Sequence, residues 1–132
     1  MEAAASNPGV EVLLQARAVT KRFGGVAALQ GVDLEIRKGE ILGVIGPNGA
    51  GKTTFVNCIS GLDRPTSGTI LFKGVDITKM PSYLIGRLGL ARTFQVVKPL
   101  RQLNVIDNVA IGAMFGARGK DRSTAQARER AR

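Results

Sequence analysis

Histidine is absent from the 132 residues, and cysteine occurs once, at Cys58. The first absence removes imidazole from metal ligation and general-base chemistry, so any catalysis must use other groups. The second excludes an internal disulfide and agrees with a reducing compartment. No apolar run approaches the roughly 18 residues that a membrane-crossing helix needs. Residues 1–9 include Glu2 and lack an apolar stretch of signal-peptide length, so they read as a flexible N-terminal tail and secretion is not expected. Acidic groups are also scarce: ten Asp plus Glu stand against nineteen Lys plus Arg, a formal net charge of +9. That balance invites phosphate, nucleic acid or an anionic surface as a partner. No basic run is interleaved with aromatics for base stacking, and several cations fall between Arg118 and Arg132, in what reads as a charged helix or tail. Nucleic acid is therefore not expected as a partner.

What is present suits one domain or part of one, with 44% hydrophobic residues. Over residues 10–18 apolar side chains recur at every second position (Val10, Val12, Leu14, Ala16, Ala18), the period of a half-buried strand. Val32, Leu34 and Ile36 repeat it, with Asp33, Glu35 and Arg37 facing out, and the two strands predict a sheet with one wet face. Ile41, Leu42, Val44 and Ile45 form a nearly continuous apolar run over residues 40–46, which predicts a central strand covered on both sides. A helix is expected over 53–60, with Val56 and Ile59 on one face and Gly61 supplying a left-handed stop. Residues 63–68 are turn chemistry. Residues 69–72 and 75–77, joined by Lys73-Gly74, predict a hairpin. Pro81 opens a short helix through Leu88, residues 90–94 read as another short strand, and Asn104 caps a later helix with Asp107 three residues on.

Gly46-Pro47-Asn48-Gly49-Ala50-Gly51-Lys52-Thr53 satisfies G-x-x-x-x-G-K-[ST] between the expected central strand and the expected helix. Glycines let successive backbone N–H groups turn inward around phosphate oxygens, at the positive end of the following helix. Lys52 adds a point charge for the β- and γ-phosphates, and the Thr53 hydroxyl is the candidate ligand for Mg2+ bridging the same oxygens. Alone, the pattern admits any P-loop enzyme, including a small-molecule kinase or a GTPase. The chain has no Asn-Lys-x-Asp stretch for guanine.

The form Gly46-Pro47-Asn48-Gly49-Ala50-Gly51-Lys52-Thr53-Thr54 resembles the phosphate loop of ABC transporter ATPase subunits, a narrower pattern than the general one. Thr20-Lys21-Arg22-Phe23-Gly24-Gly25 is similar to that family's A-loop, and the resemblance implies that Phe23 stacks on adenine, where many members carry tyrosine. Pro65-Thr66-Ser67-Gly68-Thr69-Ile70 is also family-like. Ala91-Arg92-Thr93-Phe94-Gln95 resembles the Q-loop, which implies that the Gln95 amide reaches toward Mg2+ and the attacking water. Residues 96–103 correspond to the place where family members receive the coupling helix of the membrane subunit. Asn57-Cys58-Ile59-Ser60-Gly61 and Gly89-Leu90-Ala91-Arg92-Thr93-Phe94-Gln95 point most to the branched-chain amino acid importers and their urea or amide relatives.

The resemblance spans roughly residues 10–113. It implies an α/β fold with a P-loop NTPase-like (RecA-like) core and an antiparallel β subdomain, incomplete at the C-terminus. Residues 10–100 would be the N-terminal part of the ATPase domain, and 101–132 the start of a helical subdomain. It further implies ATP and Mg2+ as ligands, and a membrane permease and a second ATPase subunit as partners. The expected location is the cytoplasmic face of the inner membrane. Catalytic roles fall to Lys52 and Gln95. No four apolar residues precede an Asp-Glu pair, and no Leu-Ser-Gly-Gly-Gln type signature or switch histidine is found. An amino-terminal piece that binds nucleotide weakly, without turning it over, is the expectation from sequence. A binding module without enzymatic activity is its neighbouring alternative.

Overall fold

Two long strands form a ribbon because their alternating patterns give each a face to bury. β1 (Val12–Phe23) and β2 (Val26–Arg37) pair antiparallel, turning at Gly24-Gly25. The computed structural model describes residues 10–94, 96, 99–115 and 123–132. β3 (Ser67–Phe72) adds to the other edge of β1, and β4 (Val75–Asp76) pairs with β3, giving an antiparallel sheet in the order β2-β1-β3-β4. The β3–β4 hairpin turns at Lys73 (φ 50°) and Gly74 (φ 75°), the pair of positive angles a tight two-residue turn requires.

The expected alternation along the first strand holds at Leu14 and Ala16, which are buried, and breaks at Ala18, which is exposed with φ 47°. A bulge between Ala16 and Val19 shifts the register by one residue, so the fully buried Val19 takes the inward position instead. The Asp33 carboxylate accepts the Ala18 N–H at 2.8 Å, and the Ala18 carbonyl lies where a Cβ on Gly68 would come within 2.4 Å. Only glycine fits at 68, where φ is also +90°.

α1 (Lys52–Ile59) begins one residue before its expected start and is followed by Gly61 at φ 72°, the left-handed stop read from sequence. Its buried Phe55 and Cys58 join Leu14, Ala16, Val19, Leu29, Ile70, Phe72 and Ile77 as the core residues of a unit that ends at Pro81. A second unit starts at Ser82 and holds α2 (Ser82–Leu88), α3 (Val105–Phe115) and α4 (Thr124–Arg130). Asn104 caps α3 as expected, its side chain accepting the Asp107 N–H at 2.8 Å. Arg128 of α4 grips Asp107 with two nitrogens, at 2.5 and 2.9 Å.

Two expected strands do not form. Residues 41–47 lie outside every ladder, with Ile41 fully exposed and Ile45 91% exposed, and residues 90–94 are likewise without strand structure. Apolar β-formers favour an extended chain, but a strand also needs a neighbour to exchange hydrogen bonds, and among the described residues none pairs with either stretch. The antiparallel subdomain is thus formed, and the expected central strand is not. The N-terminal tail and Gln95 lie outside the described residues.

Candidate phosphate-binding site

The loop closes on itself through its lysine. Lys52, the first residue of α1, extends back along the loop and donates from Nζ to the carbonyl oxygens of Gly46 (2.5 Å) and Pro47 (2.7 Å). Its charge is thereby held across the start of the loop instead of swinging into solvent. A turn stabilised by Ala50 N–H to the Pro47 carbonyl (3.2 Å) lies between, and the space where a Cβ on Gly49 would sit is open.

Gly51 is the hinge between loop and helix. It caps α1 in the left-handed conformation (φ 84°), and an added Cβ would lie 2.4 Å from the Ala28 carbonyl and 2.9 Å from a Leu29 methyl. Backbone of the loop therefore rests directly on β2. The first helical bond recorded after this hinge runs from Phe55 N–H to the Gly51 carbonyl at 2.8 Å. The amides just before it belong to the helix end that has no intrahelical acceptors, and no acidic side chain in the first turn offsets their positive potential. Thr53 is exposed and Thr54 half-buried on that same first turn, and Pro47 and Asn48 are exposed on the loop. A hydroxyl, an ammonium and helix-end amides are the donor set that a polyphosphate with a bound Mg2+ requires.

The far end of α1 is tied down by polar contacts. Asn57 donates to the Asp63 carboxylate at 2.9 Å and accepts at its carbonyl from the N–H groups of Leu62 and Asp63. Ser60 Oγ bonds back to the Val56 carbonyl at 2.8 Å. Cys58, 1% exposed between them, has its thiol pKa pushed up by burial, with Lys21 opposing and Asp63 assisting the rise. A raised pKa keeps this thiol protonated and unreactive.

Phe23 ends β1 at the hairpin turn and is 49% exposed, so it is no core aromatic. Val26, its partner across the turn, is two residues from Ala28, about 7 Å along a strand. The ring and the loop hinge therefore share one end of the β1–β2 ribbon. Thr66, from the family-like stretch, binds there too: its hydroxyl accepts the Arg22 N–H at 3.0 Å and its own N–H donates to the Thr20 carbonyl at 2.8 Å. Sequence reasoning gave Lys21 no role, yet its ammonium lies 4.8 Å from the centre of the Phe23 ring. The signal was available, since residues i and i+2 of a strand share a face. An open cleft lined by Gly68, Thr69, Asp76, Thr78, Lys79 and Met80 contains none of the expected site residues. No helix among the described residues is long and apolar enough to cross a membrane.

Comparison with known proteins agrees with this geometry. A probable branched-chain amino acid transport ATP-binding protein, LivG of Archaeoglobus fulgidus, is 46% identical over 99 residues, covering 75% of this chain and 38% of that protein. The high-affinity branched-chain amino acid transport ATP-binding protein LivG of Escherichia coli strain K12 is 44% identical over 99 residues, 39% of its length. The chain thus spans about two fifths of the curated relatives it matches. Among solved structures, a nucleotide-free ATP-binding cassette from an ABC transporter superposes with a TM-score of 0.71 at 33% identity, covering 88% of this chain and 44% of the other. The dimeric bacterial ABC transporter cassette MJ0796 gives 0.75 at 28% identity, covering 89% and 53%. The family model described as ABC transporter matches residues 29–132, a range that starts at the β2 residue under Gly51 and takes in the whole phosphate loop, and the chain belongs to that family.

Proposed function

We propose that this chain is the ATP-binding part of an ABC importer subunit, holding Mg-ATP at the loop formed by Gly46, Pro47, Asn48, Gly49, Ala50, Gly51, Lys52, Thr53 and Thr54. The observation that carries the proposal is the closed loop: Lys52 folded back to the Gly46 and Pro47 carbonyls, and Gly51 pinned on β2 at the start of α1. In the bound state Lys52 turns its charge to the β- and γ-phosphates, and helix-end amides donate to the remaining oxygens. Thr53 and Gln95 would hold Mg2+, which would supply charge neutralisation at the phosphates. Phe23 offers its ring to adenine, keeping the face of the more usual tyrosine without the hydroxyl.

In the whole protein these groups position water and γ-phosphate for hydrolysis, with Gln95 orienting the water. Names of the relatives support coupling to branched-chain amino acid uptake, through a membrane permease that docks near residues 96–103. The dimeric cassette supports a second ATPase subunit as partner. Residues 10–100 form the N-terminal part of the ATPase domain and 101–132 begin its helical subdomain, on the cytoplasmic face of the membrane. The 132 residues alone bind nucleotide weakly and without appreciable turnover, because no four apolar residues in their sequence precede an Asp-Glu pair that could activate water.

Titration calorimetry with Mg-ATP and Mg-GTP, run beside a phosphate-release assay, tests the proposal. ATP should bind, and Lys52→Ala should weaken it roughly 10- to 100-fold, the loss of a hydrogen-bonded charge. Stability should fall by about 1 kcal/mol, the scale of the exposed hydrogen bonds lost from the loop. Equal affinity with and without Lys52 would refute the site. Phosphate release at the rate of complete transporter ATPases would refute the inactivity of the chain alone.

A further inference from the structure

Lys21 is fixed at both ends of its reach. Its backbone pairs with Leu29, the β2 residue whose methyl lies against Gly51. Its ammonium donates to the Arg64 carbonyl at 2.8 Å, in the turn that leaves α1, and sits 4.8 Å from the Phe23 ring centre. That turn is itself tied to α1, through the bonds of Leu62 and Asp63 to the Asn57 carbonyl. One side chain therefore links the exit of the phosphate-loop helix to an aromatic ring that is half exposed at the end of the ribbon.

We infer that Lys21 is a positioning residue for the nucleobase: its ammonium backs one face of the Phe23 ring and leaves the other for the base. The inference rests on the proposed reading of Phe23 as the adenine platform. A cation over an aromatic face is attracted to its negative quadrupole and draws electron density toward itself. The opposite face then becomes a better partner for an electron-rich purine. Anchoring on Arg64 adds a geometric effect, since it sets the ring's orientation relative to the helix that starts at the cradle. Lys21 touches no phosphate in this scheme, so its effect should appear with adenosine present and vanish without it.

Binding of Mg-ATP and of Mg-tripolyphosphate to the full chain separates these contributions. Lys21→Met keeps the stem and removes the charge, Lys21→Arg restores a cation, and Phe23→Leu removes the ring. Lys21→Met should weaken ATP about two- to fivefold, the range of an exposed cation–π contact. Tripolyphosphate affinity should stay unchanged, Lys21→Arg should recover most of the loss, and Lys21→Met added to Phe23→Leu should have no further effect. Equal weakening of both ligands, or losses that simply multiply with Phe23→Leu, would overturn the inference and leave Lys21 as a structural tether. A ligand-free readout supports this series: Phe23→Trp creates the only tryptophan of the chain, and its emission and quenching by acrylamide should change when Lys21→Met is added. Identical spectra would also overturn the inference. A wild-type chain that gains nothing from the adenosine refutes the platform role of Phe23 and this inference with it, whereas one that binds neither ligand refutes the phosphate site itself.

Discussion

The phosphate loop is approached by two stretches of chain that differ in their surroundings. β2 pairs with β1 from Val26 to Arg37 with several register shifts, and at the one opposite Lys21 and Arg22 it presents the Ala28 carbonyl and a Leu29 methyl to Gly51. The stretch 41–45 enters the loop directly and is the more apolar, yet Ile41 and Ile45 stand almost wholly in solvent. Support for the cradle therefore comes from the paired ribbon, through contact, and not from the segment joined to it covalently. The difference teaches that hydrophobicity specifies what a segment can bury, whereas a strand exists only where a second backbone completes its hydrogen bonds.

Substitution at the contact itself should break the supported side most severely. Gly51→Val places a branched side chain at φ 84° against the Ala28 carbonyl. Strain and overlap together should cost about 2–6 kcal/mol and abolish nucleotide binding; a urea midpoint unchanged from wild type would show that β2 does not carry the loop. The contrast between paired and unpaired apolar residues is sharpened by two isoleucines. Ile70→Ala, in fully buried β3 packing, should cost about 2–5 kcal/mol, while Ile41→Ser should stay within about 0.5 kcal/mol. Similar losses at both sites would mean that residues 41–45 are covered in solution.

A smaller effect concerns α3 and α4, which are joined by an ion pair between an exposed Arg128 and a largely covered Asp107 instead of by a ladder. The Arg128 guanidinium holds the Asp107 carboxyl below its ordinary value, and Asp107 holds Arg128 above its own. A depressed carboxylate pKa gives stability that is complete above the usual Asp range and is lost as pH falls through the lowered value. Hydrogen exchange of α4 amides, corrected for intrinsic rates, should therefore lose protection on acidification below about pH 4, and Asp107→Asn should remove that dependence. Protection independent of pH in both proteins would assign the contact no energetic role.

Legibility from sequence followed the range of the determining interaction. The Gly61 stop, the Lys73-Gly74 turn and the Asn104 cap are encoded within a few residues, and each is found where its chemistry placed it, with α1 starting one residue from its expected position. The helix at 124–130 falls within a stretch that composition alone left between helix and tail. Residues 41–45 and 90–94 carried a correct local preference without the nonlocal partner that would realise it. The bulge at Ala18 was illegible because its cause lies in the Asp33 carboxylate and in Gly68, fifteen and fifty residues away. The proposal of Phe23 as a base platform comes through family resemblance alone, and the structure adds that the ring is half exposed. Strand alternation makes the approach of Lys21 to Phe23 readable, whereas its bond to the Arg64 carbonyl joins residues too far apart in sequence for any local pattern to foretell.

The cradle itself is tested most directly by two-dimensional amide NMR of the chain titrated with Mg-ATP. Resonances of residues 46 and 48–54 should move together and saturate, with Lys52→Ala suppressing the shifts, while the amides of β3 and β4 stay in place. Unmoved loop amides at saturating nucleotide, or shifts spread evenly over the sheet, would contradict a phosphate site built from this loop.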